Sequence, residues 1–217
     1  MEVFFVDFEM CVVQKKAAPK HMHFEIIQFG AVAMDENFNF TDEFNRFVKP
    51  QYGELTPEIT QLTGITENML ENQATFIKAF SEFIKWIGDD SHIIYSWSAN
   101  DLLQLKNEAC IKGFPTRDLN MFANWIDFQR VFTEAARLSH VPALGYALEL
   151  MQLEFVGSKH FADADAYNTA RLFRLCSKLK YFDMDLTRDN EADANRTASE
   201  KLGENMSADE LKKLLGF

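Results

Sequence analysis

Near its start the chain reads Glu2-Val3-Phe4-Phe5-Val6-Asp7-Phe8-Glu9, and this stretch decides the fold. From Glu2 to Phe8, branched and aromatic residues follow one another as in a strand buried on both faces. A strand so apolar belongs in the middle of a sheet, yet it ends on two carboxylates. Asp7 and Glu9 are two apart, so in extended backbone both project from the same face. Acidic side chains at the end of a central strand are costly to bury unless a cation compensates them.

Strand character resumes over residues 23–34 (HFEIIQFGAVAM), turns at Asp35-Glu36-Asn37 and returns from Phe40 to Pro50, which predicts a hairpin. Thr56 before Pro57, and then Thr66, read as hydroxyl caps for two short helices. Phe76, Ala79, Phe80, Phe83, Ile84 and Ile87 recur at helical spacing, and His92 to Trp97 reads as a short strand. Further helices are expected over residues 101–112, 128–138, 143–151 and 162–180. A hairpin followed by strands alternating with helices predicts an α/β fold, a mixed sheet with helices on both faces.

Of the 217 residues, 47% are hydrophobic and 25% charged, a globular composition that excludes a disordered, collagenous or disulfide-scaffold chain. One main domain is expected over residues 1–182. From about Asp183 the sequence turns polar, so residues 183–217 are expected to form a linker. A capping box at Ser207-Ala208-Asp209-Glu210 then opens a short helix from Leu211 to Leu215, whose leucine face is a candidate contact for a protein partner. No apolar run approaches the roughly 18–20 residues that span a bilayer, and MEVFFVDFEM has no cationic leader. Cys11, Cys110 and Cys176 are too widely spaced for a C-x-x-C site and odd in number, so a reducing cytoplasm is the expected location. A net charge of −11 repels nucleic acid and acidic membranes as a whole, so a phosphate-rich partner requires local cations or bound metal.

Two further segments carry acids. Asp101 follows the strand ending at Trp97 and lies at the head of a helix, whose free amides favour an ionised carboxylate; taken alone it reads as a cap. His160-Phe161-Ala162-Asp163-Ala164-Asp165 opens the last long helix. A histidine with alanine at the second following position and aspartate at the fifth should occur about 0.03 times in a chain of this composition, so this match is specific. If the sheet gathers Asp7, Glu9, Asp101 and Asp165 at one end, each like-charged pair costs on the order of 3–4 kcal/mol at an effective dielectric near 20. Two divalent cations cancel those four charges in number. Oxygen ligands suit Mg²⁺ or Mn²⁺ and not zinc, and a two-metal clamp serves in-line displacement at phosphorus. His160 then has the task of taking a proton from the attacking water.

Over about residues 3–180 the sequence resembles the DEDDh 3′-to-5′ exonucleases, which adopt the ribonuclease-H-like fold. VDFE is similar to their first motif, EIIQFGAVAMDE and FNRFVKPQYGELTPEITQLTGITENM to their hairpin and the stretch after it, SWSANDLLQL to the second motif and HFADADAYNTARL to the third. The branch it most resembles contains histone-messenger-RNA exonucleases and bacterial sporulation-regulator homologues. The resemblance implies a mixed five-stranded sheet in which Asp7 bridges both metals. It further implies that Glu9 and Asp165 hold the metal carrying the nucleophilic water, that Asp101 supports the second metal through water, and that His160 is the base. By the same analogy Phe8, Met10 and Phe161 line the slot for the terminal nucleotide.

The sequence departs from the family pattern at Met10-Cys11, at Ser98, at Gln28 where glutamate is frequent, and at Asp163 and Ala164 where leucine and aspartate are usual. Lys15, Lys16, Lys20, His21 and His23 follow the first motif and are candidates for meeting substrate phosphates, with binding that weakens as salt rises. The expected activity is metal-dependent release of nucleoside 5′-monophosphates from single-stranded 3′ ends of RNA or DNA. The alternatives are a regulatory protein that keeps the fold but acts through a partner, and a metal phosphatase acting on a small ester.

Overall fold

The computed structural model describes residues 2–14, 18–88 and 92–178. Lys15, Lys16 and everything expected of the tail over residues 183–217, including its division from the main domain, lie outside these. Strands β1 (Glu2–Val13), β2 (Phe24–Met34), β3 (Phe40–Phe47) and the two-residue β4 (Gly53–Glu54) come first. Helices α1 (Pro57–Thr63), α2 (Glu67–Leu70) and α3 (Phe76–Ile87) follow, then β5 (His92–Ser96), α4 (Asn100–Ile111), a 3-10 segment (Thr116–Asn124) and β6 (Trp125–Asp127). Helices α5 (Phe128–Ala135), α6 (Leu144–Leu150) and α7 (Ala162–Cys176) complete the order.

The strands form one sheet in the order β3-β2-β1-β5-β6, with β4 pairing the far end of β1. β1, β2 and β3 run antiparallel in succession, whereas β5 and β6 continue from β1 in parallel. The mixed sheet is therefore as expected, with six strands in place of five because Gly53 and Glu54 pair Val13 and Val12.

Alternation along β1 divides the core. Val3 and Phe5 pack with Tyr95, Phe128, Phe132, Leu148 and Leu172 beneath α5, α6 and α7. Phe4, Val6 and Phe8 pack on the opposite face with Phe29, Phe80, Phe83 and Leu105 beneath α3 and α4. Complete burial of one such side chain is worth about 1.5–3 kcal/mol, so each face of β1 is fixed several times over. The same period carries Asp7 and Glu9 onto the Val3 and Phe5 face, the side on which α7 lies.

Thr56 caps α1 by accepting a hydrogen bond from Ile59 N at 3.4 Å. Thr66 occupies the cap position of α2 without a side-chain hydrogen bond to it, so only the first of the two expected hydroxyl caps is made.

Candidate active site

The end of β1 is where the functional side chains meet. Asp7 lies opposite Gly30 and Glu9 opposite Gln28 of β2, and the register slips immediately after Glu9. On the other side β5 runs parallel to β1 with Val6 opposite Ser96, so the chain leaves β5 beside the acidic end of β1 and enters α4. Asp101, in the first turn of α4, accepts a hydrogen bond from Phe8 N at 3.0 Å. The helix cap position belongs to Ala99, and the Asp101 carboxylate accepts from the β1 backbone between the two acids of the strand as well as from its own amide.

The third element is the start of α7. A Cβ at position 30 would stand 2.0 Å from Ala162 C and 2.1 Å from Asp163 N; only glycine lets the helix rest directly on β2, across from Asp7. Asp165 Oδ2 accepts from His160 N at 3.1 Å, folding the loop back over the helix start. His160 itself has φ of 60°, a left-handed conformation that costs a non-glycine residue about 1–2 kcal/mol and is typical of functional positions. As a result, one ligand atom each from Glu9, His160 and Asp165 lies within 4.8 Å of the others.

The charges of these groups are strongly perturbed. Burial lifts Asp7 well above the usual carboxylate range, and Asp101, Asp165 and Glu9 push it further. Glu9 rises to about 8, by burial and then by Asp165 and Asp101. Asp101 and Asp165 each rise to about 7, chiefly by burial; the Phe8 amide eases the first and the His160 amide the second. Partial desolvation and then neighbouring Lys159 hold the His160 imidazole below its ordinary value. The groups raising Asp7 and Glu9 are themselves carboxylates, so the site has the donor chemistry of a hard divalent cation site.

All five acid and histidine positions expected from sequence therefore come together. Phe8 does not join them through its ring, because strand alternation turns it to the opposite face. It is 5% exposed and packs against Phe29 at 4.8 Å and Phe83 at 6.0 Å between centroids. Met10 is half-buried against the same core. Phe161 is half-buried beside Ile27 and Ile65, edge-on to Phe47 at 6.0 Å. Lys20, His21 and His23 are exposed.

One further acid escaped the sequence reading. Asp127 ends β6 opposite Ser96, caps α5 by accepting from Arg130 N at 3.0 Å and contributes to the upward shift of Asp101. Its signal was that of a helix cap before Phe128; its nearness to Asp101 follows only from the parallel pairing of β5 and β6.

A family model described as Exonuclease (RNase_T) matches residues 4–173, more than half of the chain. The chain belongs to the exonuclease family. Among curated relatives, this exonuclease is 28% identical over 149 residues to the 3′-5′ exonuclease DinG of Bacillus subtilis, covering 69% of the chain and 15% of the relative. It is 34% identical over 76 residues to the PolC-type DNA polymerase III of Thermotoga maritima, covering 35% of the chain and 5% of the relative. The chain thus spans a small part of the curated relatives it matches. Its fold is shared with the nuclease domain of 3′hExo, a DEDDh family member bound to rAMP, at a TM-score of 0.67 and 22% identity, over 81% of this chain and 91% of that one. It is also shared with E. coli Exonuclease I in complex with an oligonucleotide, at a TM-score of 0.61 and 18% identity, over 82% and 41%. Among the described residues no helix is long and apolar enough to cross a membrane.

Proposed function

We propose that this chain is a metal-dependent 3′-5′ exonuclease that hydrolyses phosphodiester bonds at single-stranded 3′ ends of RNA or DNA and releases nucleoside 5′-monophosphates. The observation that carries this reading is the convergence of half-buried Asp7 and Asp165 with buried Glu9 and Asp101 from three separate elements, with His160 at their edge. Two Mg²⁺ or Mn²⁺ ions held by these four carboxylates would supply Lewis-acid stabilisation of an in-line displacement at phosphorus. His160, whose imidazole is held below its ordinary value by desolvation and Lys159, takes the proton from the attacking water as the new oxygen–phosphorus bond forms. The bond to the departing 3′ oxygen breaks, and that oxygen takes a proton from solvent. The backbone of Phe8 keeps Asp101 in place through its N–H.

Half-buried Met10 and Phe161 would border the terminal nucleotide, and exposed Lys20, His21 and His23 would meet phosphates of the incoming strand. A relative in fold bound to rAMP and another bound to an oligonucleotide support this substrate class. The free thiols of Cys11, Cys110 and Cys176 support assignment to the reducing cytoplasm.

The test is digestion of end-labelled RNA and DNA oligomers with Mg²⁺ or Mn²⁺ and with chelator. Metal-dependent ladders shortening from the 3′ end are expected, lost in Asp7→Ala and His160→Ala. Full activity in both variants would overturn the site assignment, and no cleavage of any nucleic acid would favour a regulatory role for the same fold.

A further inference from the structure

Gln28 sits on β2 opposite Glu9 with no solvent exposure. A buried amide must find partners for both its ends, and this one finds them at the start of α7. Its Oε1 accepts from Ala162 N at 3.1 Å, and its Nε2 donates to Asp163 Oδ1 at 3.2 Å and to Asn45 Oδ1 at 3.1 Å. Helix α7 needs such help. Its cap position is Phe161, which makes no side-chain cap hydrogen bond, while the first N–H groups of any helix lack partners inside it. The missing acceptor comes from a strand 134 residues away in sequence.

We propose that Gln28 is a positioning residue, which caps α7 from the neighbouring strand and so sets His160 and Asp165 over Glu9. Its catalytic consequence rests on the exonuclease reading above; the contact itself does not. Chemistry dictates glutamine at this position. Residue 28 must accept from one group and donate to Asp163 beside it, and a glutamate would instead place a second carboxylate against the first. Gln28 and Asp163, separate departures from the family pattern in sequence, meet in one contact.

The test is an exchange of amide and acid. In Gln28→Glu two carboxylates face one another. In the double variant Gln28→Glu with Asp163→Asn, the amide introduced at position 163 donates to the carboxylate introduced at position 28, which still accepts from Ala162 N. Three readouts are taken on the full chain: Mn²⁺ binding with the metal alone, kcat and KM on a labelled oligonucleotide, and hydrogen exchange of the amides over residues 160–165. Gln28→Glu should weaken Mn²⁺ binding and lower kcat by about 10–100-fold, the range for residues that orient metal ligands, with KM nearly unchanged and faster exchange at Ala162. The double variant should recover all three, and Asp163→Asn alone should fall between. Unaltered Mn²⁺ binding and exchange in Gln28→Glu overturns the proposal, as does a double variant no better than Gln28→Glu. Should the wild-type protein cleave nothing, the exonuclease reading fails, while exchange at Ala162 still decides whether the clamp exists.

Discussion

Lys112 holds its ammonium 2.6 Å from a carboxylate oxygen of Glu25, with the two side chains 6% and 0% exposed. The same nitrogen lies 2.8 Å from Glu108 Oε1, one turn back on α4. Glu108 also accepts from Ile26 N at 2.8 Å, and Glu25 accepts from Tyr52 N at 2.6 Å and from Gly53 N. One buried cation therefore joins α4 to β2 and to the segment around β4. Lys112→Met would leave two buried carboxylates without a counter-charge and should cost about 3–5 kcal/mol. Urea denaturation at neutral pH measures this; an unmoved midpoint would show that the lysine is dispensable.

The carboxylate cluster makes the metal-free protein sensitive to alkali. Folding lifts Glu9 from 4.5 to about 8 and Asp101 and Asp165 from 3.8 to about 7, so the native state holds these protons more tightly than the unfolded chain. The associated stability is complete below the unfolded values and is lost as pH rises through the folded ones. With chelator, the melting temperature should fall between about pH 5 and pH 9. Added Mg²⁺ or Mn²⁺ should reverse the fall, its effect growing over that same interval as ions replace protons. A chelated protein equally stable at both ends of the range would contradict the clustering.

Asp7→Asn separates activity from stability. It removes one negative charge from the crowded end of β1, so at about pH 9 with chelator the variant should melt higher than wild type, by about 2–4 °C for each kcal/mol of repulsion relieved. Hydrolysis should disappear, and the stabilisation by added metal should shrink. A variant that melts lower in chelator would indicate that Asp7 contributes more through hydrogen bonding than it costs through charge.

Gly30→Ala tests the seat of α7. The added methyl would lie 2.0 Å from Ala162 C, an overlap that backbone, unlike a flexible side chain, relieves only by moving. The expected loss is about 1–3 kcal/mol of stability or more, together with a larger loss of kcat than of substrate affinity, because the displaced helix carries Asp165. Wild-type rates in this variant would mean that α7 tolerates a shift without disturbing the site.

Much of this was legible in the residues themselves. Phe76, Phe80 and Phe83 announce α3 by their spacing, and the specific pattern from His160 to Asp165 marks the start of α7. Other features required the assembled sheet. β1 runs to Val13, beyond the expected end at Phe8, because its two acids interrupt the apolar run although the backbone remains paired. β6 comprises Trp125, Ile126 and Asp127 alone, too few residues for any period to register. The side of the strand that the Phe8 ring faces, opposite Asp7 and Glu9, is likewise set by the assembled sheet, and analogy alone did not carry it. The partnership of Gln28 with Asp163 spans 135 positions, and no local pattern joins such distant residues.

The placement of His160 and Asp165 at the start of α7 has a consequence for biosynthesis. A chain leaving the ribosome exposes Asp7 and Glu9 first and Asp101 only after some ninety further residues, and it lacks His160 and Asp165 until α7 has emerged. In a nascent chain the carboxylate cluster therefore stays incomplete, and it is assembled only as translation of the domain draws to a close.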